Sequence, residues 1–311
     1  MLKRTCKWLG GRIGYLLYTL ALLVLLLWLL FPKETCRRLL VQYINNAYPL
    51  LSWQVQSMTL RIPEGVTLKG IEGYEPGDTK KPLVSVDSLT LRPDIAGTVQ
   101  TKHLQAAYRM VLAKGVIAGV VQMDGWGKGL HIDGSIQGLQ LAECAILARQ
   151  LEREVQGTFS ATFAGRLSSL PEGIPEMEAK LSVAQGRLGL KRPILNHAVL
   201  PFSLAEVILH GRGETVQLEQ GKVDSELFTG QFSGGIKAFL DPAASQLDIR
   251  GTMQPRPAFF TGVDNASLLK VIRTQLKEGT VPFRVSGDVY NPGIHFEEFS
   301  LLFQSLKKES H

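Results

Sequence analysis

The sequence predicts a mainly β protein, in which a single N-terminal transmembrane helix precedes a curved antiparallel β-sheet body with a few short helices. Three observations support this fold class. Residues 13–31 form a run of nineteen residues without a charge, apolar and polar residues alternate from Trp53 onward, and Gly, Asn, Asp or Pro separate the alternating runs. Such alternation is typical of half-buried strands, and such turn residues reverse the chain between them. The alternation leaves open whether the body is an open groove or a sandwich.

The uncharged run has the length that a helix needs to cross a bilayer. At about 1.5 Å per residue it covers roughly 28 Å, close to a hydrocarbon core of about 30 Å. Four basic residues precede it within residues 1–12, which predicts a cytoplasmic N-terminus. The run ends in Leu30-Phe31-Pro32-Lys33 and lacks the small residues of a cleavage site, so an uncleaved anchor is favoured over a signal peptide. The residues singled out as membrane-spanning are Ile13, Tyr15, Leu22, Leu26, Trp28 and Phe31.

The basic balance of the chain belongs to this membrane segment. The formal charge is +6 and the pI about 9.2, but residues 1–38 hold seven Lys or Arg and one Glu, which accounts for all of the excess. The remaining chain is neutral, so no nucleic-acid surface is expected. The three cysteines are too few for a disulfide framework. They leave open a Cys36–Cys144 bridge or a role as small buried residues.

The residues after the span divide into a short helix and a long β region. Residues 32–49 are predicted to form an amphipathic connecting helix that Pro49 ends, lying against the membrane or capping the sheet. Residues 50–311 form the β-rich domain, either as one domain or as two units, 50–170 and 171–311. Helical spacing recurs in Leu141–Glu154 and after Asp264, each time before a glycine and a strand. This parallel suggests a weak internal duplication, although such joints are also common without one.

The body supplies no catalytic motif. The serine-hydrolase, zinc-protease, phosphate-loop and paired Cys-x-x-Cys patterns are all absent from the sequence. Asp124–Gly129 is read as a hairpin turn, and Glu297–Glu298 as part of a polar rim. The histidines have no recognised ligand spacing; they are His103, His131, His197, His210, His295 and His311. We therefore expect no enzyme activity, no metal and no cofactor.

Short stretches of the chain carry a family resemblance. They are the span ending Leu29-Leu30-Phe31-Pro32, the helix after it, Leu89–Pro93, and the closing stretch Phe283–Ile294. Together they resemble the type II secretion system protein N (GspN) family, in the divergent form of Gram-negative bacteria outside the enteric group. The closing stretch also resembles AsmA-like proteins, where a strand, a glycine, a strand and a Pro-containing turn end the domain.

The resemblance implies two functions. The first is an accessory component of a type II secretion system in the cell inner membrane, with its body in the periplasm and other secretion-system proteins as partners. The alternative is an AsmA-like lipid-binding or lipid-transfer module with phospholipid in an apolar β groove. Membrane lipid is an expected partner in either case, and the family has no catalytic residues to carry over.

Overall fold

The fold is mainly β, as the alternation predicts. A computed structural model describes residues 32–61, 64–77, 80–125, 129–168, 174–194, 197–237, 244–260, 280–289 and 291–296, together with five helical positions upstream. Fourteen antiparallel strands form one open sheet, in which every strand pairs with its neighbours in the chain. The described residues form this single sheet and three α-helices, so they do not build the sandwich that the sequence left open.

The elements follow one another in a simple meander. The strands are β1 (Ser52–Arg61), β2 (Gly65–Tyr74), β3 (Val84–Pro93), β4 (Leu104–Leu112), β5 (Gly115–Met123), β6 (Gly129–Gln140), β7 (Val155–Ser168), β8 (Pro175–Ile194), β9 (His197–Arg212), β10 (Thr215–Asp224), β11 (Phe228–Lys237), β12 (Gln246–Pro255), β13 (Val281–Gly287) and β14 (Pro292–Phe296). The helices are α1 (Lys33–Ala47), α2 (Ile95–Thr101) and α3 (Ala145–Leu151), and short 3-10 turns cover Leu141–Glu143 and Pro257–Phe260.

Alternate connections lie at opposite ends of the sheet, because every strand is antiparallel to its neighbours. The connections after odd-numbered strands lie at one end, which we call the α2 end because α2 joins β3 to β4 there. The connections after even-numbered strands lie at the other, the α3 end, which carries α3 between β6 and β7 and the 3-10 turn after β12. Strands β7 and β8 pair along most of their length, so the sheet is continuous from one to the other, and the division at residue 170 remains a prediction.

Helix α1 protects the outer edge of β1. The side chain of Asn45 accepts a hydrogen bond from the backbone N–H of Trp53 at 2.7 Å and donates one to its carbonyl at 3.4 Å. Arg37 Nη1 donates to the carbonyl of Val55 at 2.7 Å. These contacts satisfy backbone groups that an edge strand leaves unpaired. Of the two alternatives for this helix, capping of the sheet is therefore the one observed.

The same contacts define the direction of α1. Since Asn45 meets Trp53 and Arg37 meets Val55, the helix runs back along β1 with its N-terminus toward the α2 end. Its inner side packs on the first strands through Leu40. The predicted anchor therefore joins the body on the α2 side of this helix.

Register shifts keep apolar residues on one side of the sheet. At Gly70, φ is +60°, a value that glycine adopts without strain, and the alternation inverts there, so that Leu68 and Ile71 both lie in the same buried cluster. Further shifts interrupt the pairing of β3 with β4, β6 with β7, β7 with β8, β8 with β9 and β10 with both of its neighbours. Such bulges bend the strands and increase their twist.

Three predictions about helices have different outcomes. The helix expected over Leu141–Glu154 is shorter and divided, since a 3-10 turn precedes α3 and Glu152 ends it with a φ of +50°. The helix predicted after Asp264 lies outside the described residues. The predicted span 13–31 lies largely outside them too, although its five described positions are all helical. In the part of the chain that is described, no helix has the length and apolar character that a membrane span requires.

We expect Asn45→Ala to lower the free energy of unfolding of the full chain by about 1–2 kcal/mol, because the edge amide and carbonyl of Trp53 lose their partners. Urea denaturation in mild detergent measures the change. The matched control is Asn46→Ala, at the next and exposed residue of the same helix. An equal loss in the two variants would show that helix propensity, and not the edge contact, is responsible.

Candidate functional site

One row of side chains crosses all fourteen strands on one face of the sheet. Residues directly opposite each other in an antiparallel pair project to the same face, so the pairing register identifies the members of a row. The row reads Leu60, Val66, Leu91, Tyr108, Gly119, Gly134, Phe163, Ala179, Leu209, Leu218, Gly234, Ile249, Val285 and Ile294. Apart from the Tyr108 hydroxyl, every side chain in it is apolar or a hydrogen. We call the surface that contains this row the apolar face.

A second row on the same face is also entirely apolar. It runs from β3 to β14 through Pro93, Ala106, Val121, Ile132, Gly165, Met177, Gly211, Val216, Ile236, Leu247, Gly287 and Pro292. The neighbouring row on the opposite face is mostly polar, and reads Thr59, Thr67, Thr90, Arg109, Ala118, Ser135, Thr162, Lys180, Ile208 and Gln220. The sheet therefore has two chemically different faces over its whole width.

Little of the described chain covers the apolar face. Strands β4 and β9 contain no fully buried residue, and most side chains of the face are half-buried. Complete burial is found in two clusters and at a few further positions, which are Leu139, Ala161, Val216 and Leu218. One cluster lies under α1 and comprises Val55, Leu68, Ile71 and Val86; the other lies at the α3 end and comprises Leu227, Met253, Phe259 and Val281. Between the clusters, most side chains of the apolar face are half-buried, although Val216 and Leu218 on β10 are buried.

Aromatic rings on this face lie over glycines. Six aromatic residues stand directly opposite a glycine on a neighbouring strand: Trp53 and Gly73, Tyr108 and Gly119, Phe163 and Gly134, Phe202 and Gly186, Phe232 and Gly221, Phe283 and Gly251. A β-carbon at Gly134 would lie 2.6 Å from Cζ of Phe163, and one at Gly251 would lie 2.7 Å from Cζ of Phe283. The rings therefore occupy space that only hydrogen leaves free. These rings therefore lie close to the backbone of the strand that carries the glycine.

The hydroxyl of Tyr108 is the one polar side-chain atom in the first row. Its hydroxyl donates a weak hydrogen bond to the backbone carbonyl of Asp133 at 3.4 Å. Burial of the phenol against the sheet raises its pKa, and the nearby Asp133 carboxylate adds to the effect. The hydroxyl thus stays protonated and can donate a hydrogen bond within an otherwise apolar surface.

The polar face carries both acidic and basic side chains. Asp248 meets Arg284 at 2.9 Å and Arg250 at 3.6 Å, and His210 meets Glu219 at 3.0 Å. A concavity of about 380 Å³ lies on the same side near the α3 end, between β9 and β12. Polar side chains at its wall include Lys222, and the apolar rows do not contribute to its mouth. Exposed ion pairs of this kind contribute little to stability, so this face is read as a solvated surface.

His103 and His131, for which the sequence shows no recognised ligand spacing, both lie close to Asp124. His131 Nε2 lies 3.0 Å from Asp124 Oδ2, His103 Nδ1 lies 3.2 Å from Asp124 Oδ1, and Arg166 Nε donates to His131 Nε2 at 3.2 Å. Asp124 also closes the β5–β6 hairpin, because its N–H donates to the carbonyl of Gly129. The hairpin reading of this turn is confirmed. Among the described residues, no group of three potential ligands could hold a metal ion.

The remaining residues that the sequence singled out are placed as follows. Tyr15, Leu22 and Leu26 are helical and exposed, whereas Ile13, Trp28 and Phe31 lie outside the described residues, as do His311, Glu297 and Glu298. Cys36 in α1 and Cys144 before α3 are both half-buried free thiols, so no bridge joins them. Burial raises the pKa of the Cys144 thiol, with a smaller contribution from Glu143. A raised pKa keeps the thiol protonated and unreactive.

Comparison with known protein families, with curated proteins and with solved structures finds no match for this chain. The resemblance to the GspN family therefore remains a prediction, and the function is argued from the two faces of the sheet.

The glycines under aromatic rings provide a matched test of the face. We expect Gly134→Ala to destabilise the chain by about 1–3 kcal/mol, because the added methyl group collides with the ring of Phe163 and the hydroxyl of Tyr108. Gly165→Ala is the control, since its β-carbon would meet only backbone oxygens at 3.7 and 4.0 Å. Urea denaturation compares the two, and equal stability of both variants would contradict the packing of rings on glycine.

Alkaline pH tests the burial of Tyr108. Its pKa is raised above the ordinary value of 10.0 in the folded chain, so loss of the proton favours unfolding. This stabilisation is present below pH 10 and is lost as the pH rises through the folded-state pKa. We expect the free energy of unfolding of Tyr108→Phe to fall less than that of wild type between about pH 9 and pH 11, because the variant lacks the phenol proton that folding retains. Denaturation at each pH measures the difference. If Tyr43→Phe, at an exposed tyrosine of α1, flattens the pH dependence equally, burial at Tyr108 is not the cause.

Proposed function

We propose that this protein is a membrane-anchored lipid-binding module whose open sheet shelters acyl chains on its apolar face. The single observation that supports the proposal is the first row, in which all fourteen strands contribute an apolar residue, a glycine or Tyr108 to the same face. A face of this width would be expected to lie against a second layer in a closed core. Since most side chains of the face between the two clusters are only half-buried, Val216 and Leu218 excepted, an apolar ligand is the simplest occupant of that region.

The dimensions of the face suit extended hydrocarbon. Neighbouring strands lie about 4.8 Å apart, so a row across fourteen strands extends roughly 60 Å along the sheet. This is about twice the thickness of a bilayer hydrocarbon core of about 30 Å, so several acyl chains fit along it. Rings that lie flat on glycines leave the face without bulky projections. Burial of apolar area at about 25 cal/mol per Å² supplies the driving force for binding.

The residues around the face favour binding over chemistry. Apart from Tyr108, the first two rows have no side chain that donates a proton or attacks a bond. Tyr108 can offer one hydrogen bond to a polar part of a lipid, such as an ester carbonyl. The predicted anchor at residues 13–31 would hold the module at a membrane, in the proposed arrangement the bacterial inner membrane with the body in the periplasm. Phospholipid of that membrane is then the most accessible apolar ligand.

The secretion-system role is a second proposal. The stretch that carries the family resemblance, Phe283–Ile294, forms the β13–β14 hairpin, the last pair of strands described. A protein partner that adds a strand beside β14 would use this hairpin as its contact. Deletion of the gene, with the exported enzymes then assayed in the culture medium, tests this role. Normal secretion, with no secretion protein crosslinked to the hairpin, would exclude it.

A pair of adjacent residues separates the two faces in a binding test. Leu209 lies on the apolar face opposite Ala179, whereas Ile208 lies on the polar face opposite Lys180. We expect Leu209→Asp to lower the phospholipid that co-purifies with the full chain by about tenfold or more, because a carboxylate in the path of an acyl chain is costly to desolvate. Native mass spectrometry of the detergent-extracted protein measures the bound lipid.

The control is Ile208→Asp, which should retain the lipid content of wild type. Circular dichroism of both variants confirms that the sheet is intact. If the wild-type protein carries no phospholipid, or if the two variants lose it equally, the apolar face is not a lipid-binding surface.

A further inference from the structure

Exposed apolar side chains of the sheet are concentrated at one place on the α2 end. Ile95 is 60 % exposed and Val99 is 73 % exposed on α2, and Leu104 at the start of β4 is 54 % exposed. Leu91 of β3 and Met123 of β5 are also exposed beside them. We call these five residues the α2 rim.

Helix α2 is attached through its polar side. Asp94 caps it by accepting a hydrogen bond from the N–H of Gly97 at 2.8 Å, and the Thr98 hydroxyl accepts one from the N–H of Gln105 at 3.1 Å. Ile95 and Val99 are four residues apart and therefore lie on one side of the helix. That side is the exposed one. The helix thus contacts the protein through Asp94 and Thr98, while Ile95 and Val99 face outward together with Gln100.

The rim includes residues of the apolar face, and the His103–Asp124 pair adjoins it. Leu104 and Met123 are paired across β4 and β5, and Leu91 belongs to the first row. The sequence of α2 contains no charged residue. Helix α2 itself contacts Gln105, whose side chain lies on the polar face and bonds to Gln122, so an acyl chain would reach the apolar face through Leu104 and Met123.

The predicted anchor precedes, in the sequence, the end of α1 that is directed toward the α2 end. The N-terminus of α1 is directed toward the α2 end, and the uncharged run 13–31 precedes it in the sequence. If this run is held in a bilayer, the α2 end is the part of the sheet nearest to the membrane surface. The exposed side chains of α2 then face the lipid and not the aqueous phase.

We propose that the α2 rim inserts into the outer part of a lipid bilayer and is the point at which acyl chains pass onto the apolar face. The loading step rests on the proposed lipid-binding function, whereas the membrane contact does not. Ile95 and Val99 enter the interfacial region, at the depth of about 5–10 Å that amphipathic helices reach. Leu104 and Met123 bridge that region to the first strands.

Depth-dependent quenching tests the membrane contact. In the full chain with its three cysteines replaced by serine, Val99→Cys and Leu204→Cys each carry an environment-sensitive fluorophore. Leu204 is the control, since it is 39 % exposed but lies on the polar face at the α3 end. In vesicles of phosphatidylethanolamine and phosphatidylglycerol with spin-labelled acyl chains, we expect quenching at position 99 to exceed that at position 204 by about twofold or more, as for an interfacial helix. Equal quenching at the two positions overturns the proposal.

Lipid loading tests the second step. The double variant Ile95→Asp with Val99→Asp should take up a fluorescent phospholipid from the same vesicles about tenfold more slowly than wild type, because charged residues do not remain in the interface. The matched variant Leu204→Asp should load at the wild-type rate. Equal rates for the double variant and wild type overturn loading through the rim.

The two proposals fail in different ways. If position 99 is not quenched but phospholipid still co-purifies, the rim is wrong and lipid binding stands. If position 99 is quenched but no phospholipid co-purifies, the membrane contact stands while lipid binding and loading are both wrong.

Discussion

The structure depends on the register of one continuous antiparallel ladder. Each strand pairs with the next so that apolar residues stand opposite apolar residues, and a slip of one residue anywhere would turn the following strands over. The register shifts do not disturb this match. At Gly70, and at the shift between Leu218 and Gln220, the chain adjusts its alternation and the apolar side is retained. The two faces of the sheet are therefore a property of the whole ladder and not of any single strand.

Glycine and aromatic residues act together in maintaining this surface. A glycine inside a strand normally weakens it, and its frequency here would by itself suggest a poorly defined sheet. The rings of Phe163, Phe232 and Phe283 compensate by packing on the glycines opposite them, which also protects the exposed backbone. The result is an apolar surface that is stabilised within one layer.

The outer edge at β1 and the two ends of the sheet differ in which residues cover them. At β1, Asn45 and Arg37 block the backbone groups that would otherwise pair with another strand. At the α3 end, the 3-10 turn carrying Phe259 packs over the apolar face. At the α2 end, the short helix leaves its apolar residues uncovered. Among the described residues, apolar side chains are therefore covered at the α3 end and exposed on the helix of the α2 end.

Much of the fold could be read from local pattern. The alternation from Trp53 onward predicts strands such as β3, and the connecting helix predicted over residues 32–49 agrees with α1 to within two residues at each boundary. Helix α2 could not be read in this way, because its β-branched residues favour a strand and the contacts of Asp94 and Thr98 make it a helix. The association of His103 with His131 was also missed, since a shared contact with Asp124 depends on the pairing of β5 with β6.

The sequence by itself determined that most of the chain is antiparallel β-structure, that its charge excess belongs to the N-terminal segment, and that no familiar catalytic pattern is present. Only the tertiary structure decided that fourteen strands form one sheet in chain order, that their apolar sides coincide, and that aromatic rings lie over glycines. The physical reason is that alternation is a property of one strand. Which strands are neighbours, and in what register, depends on hydrogen bonds between residues that are distant in the sequence.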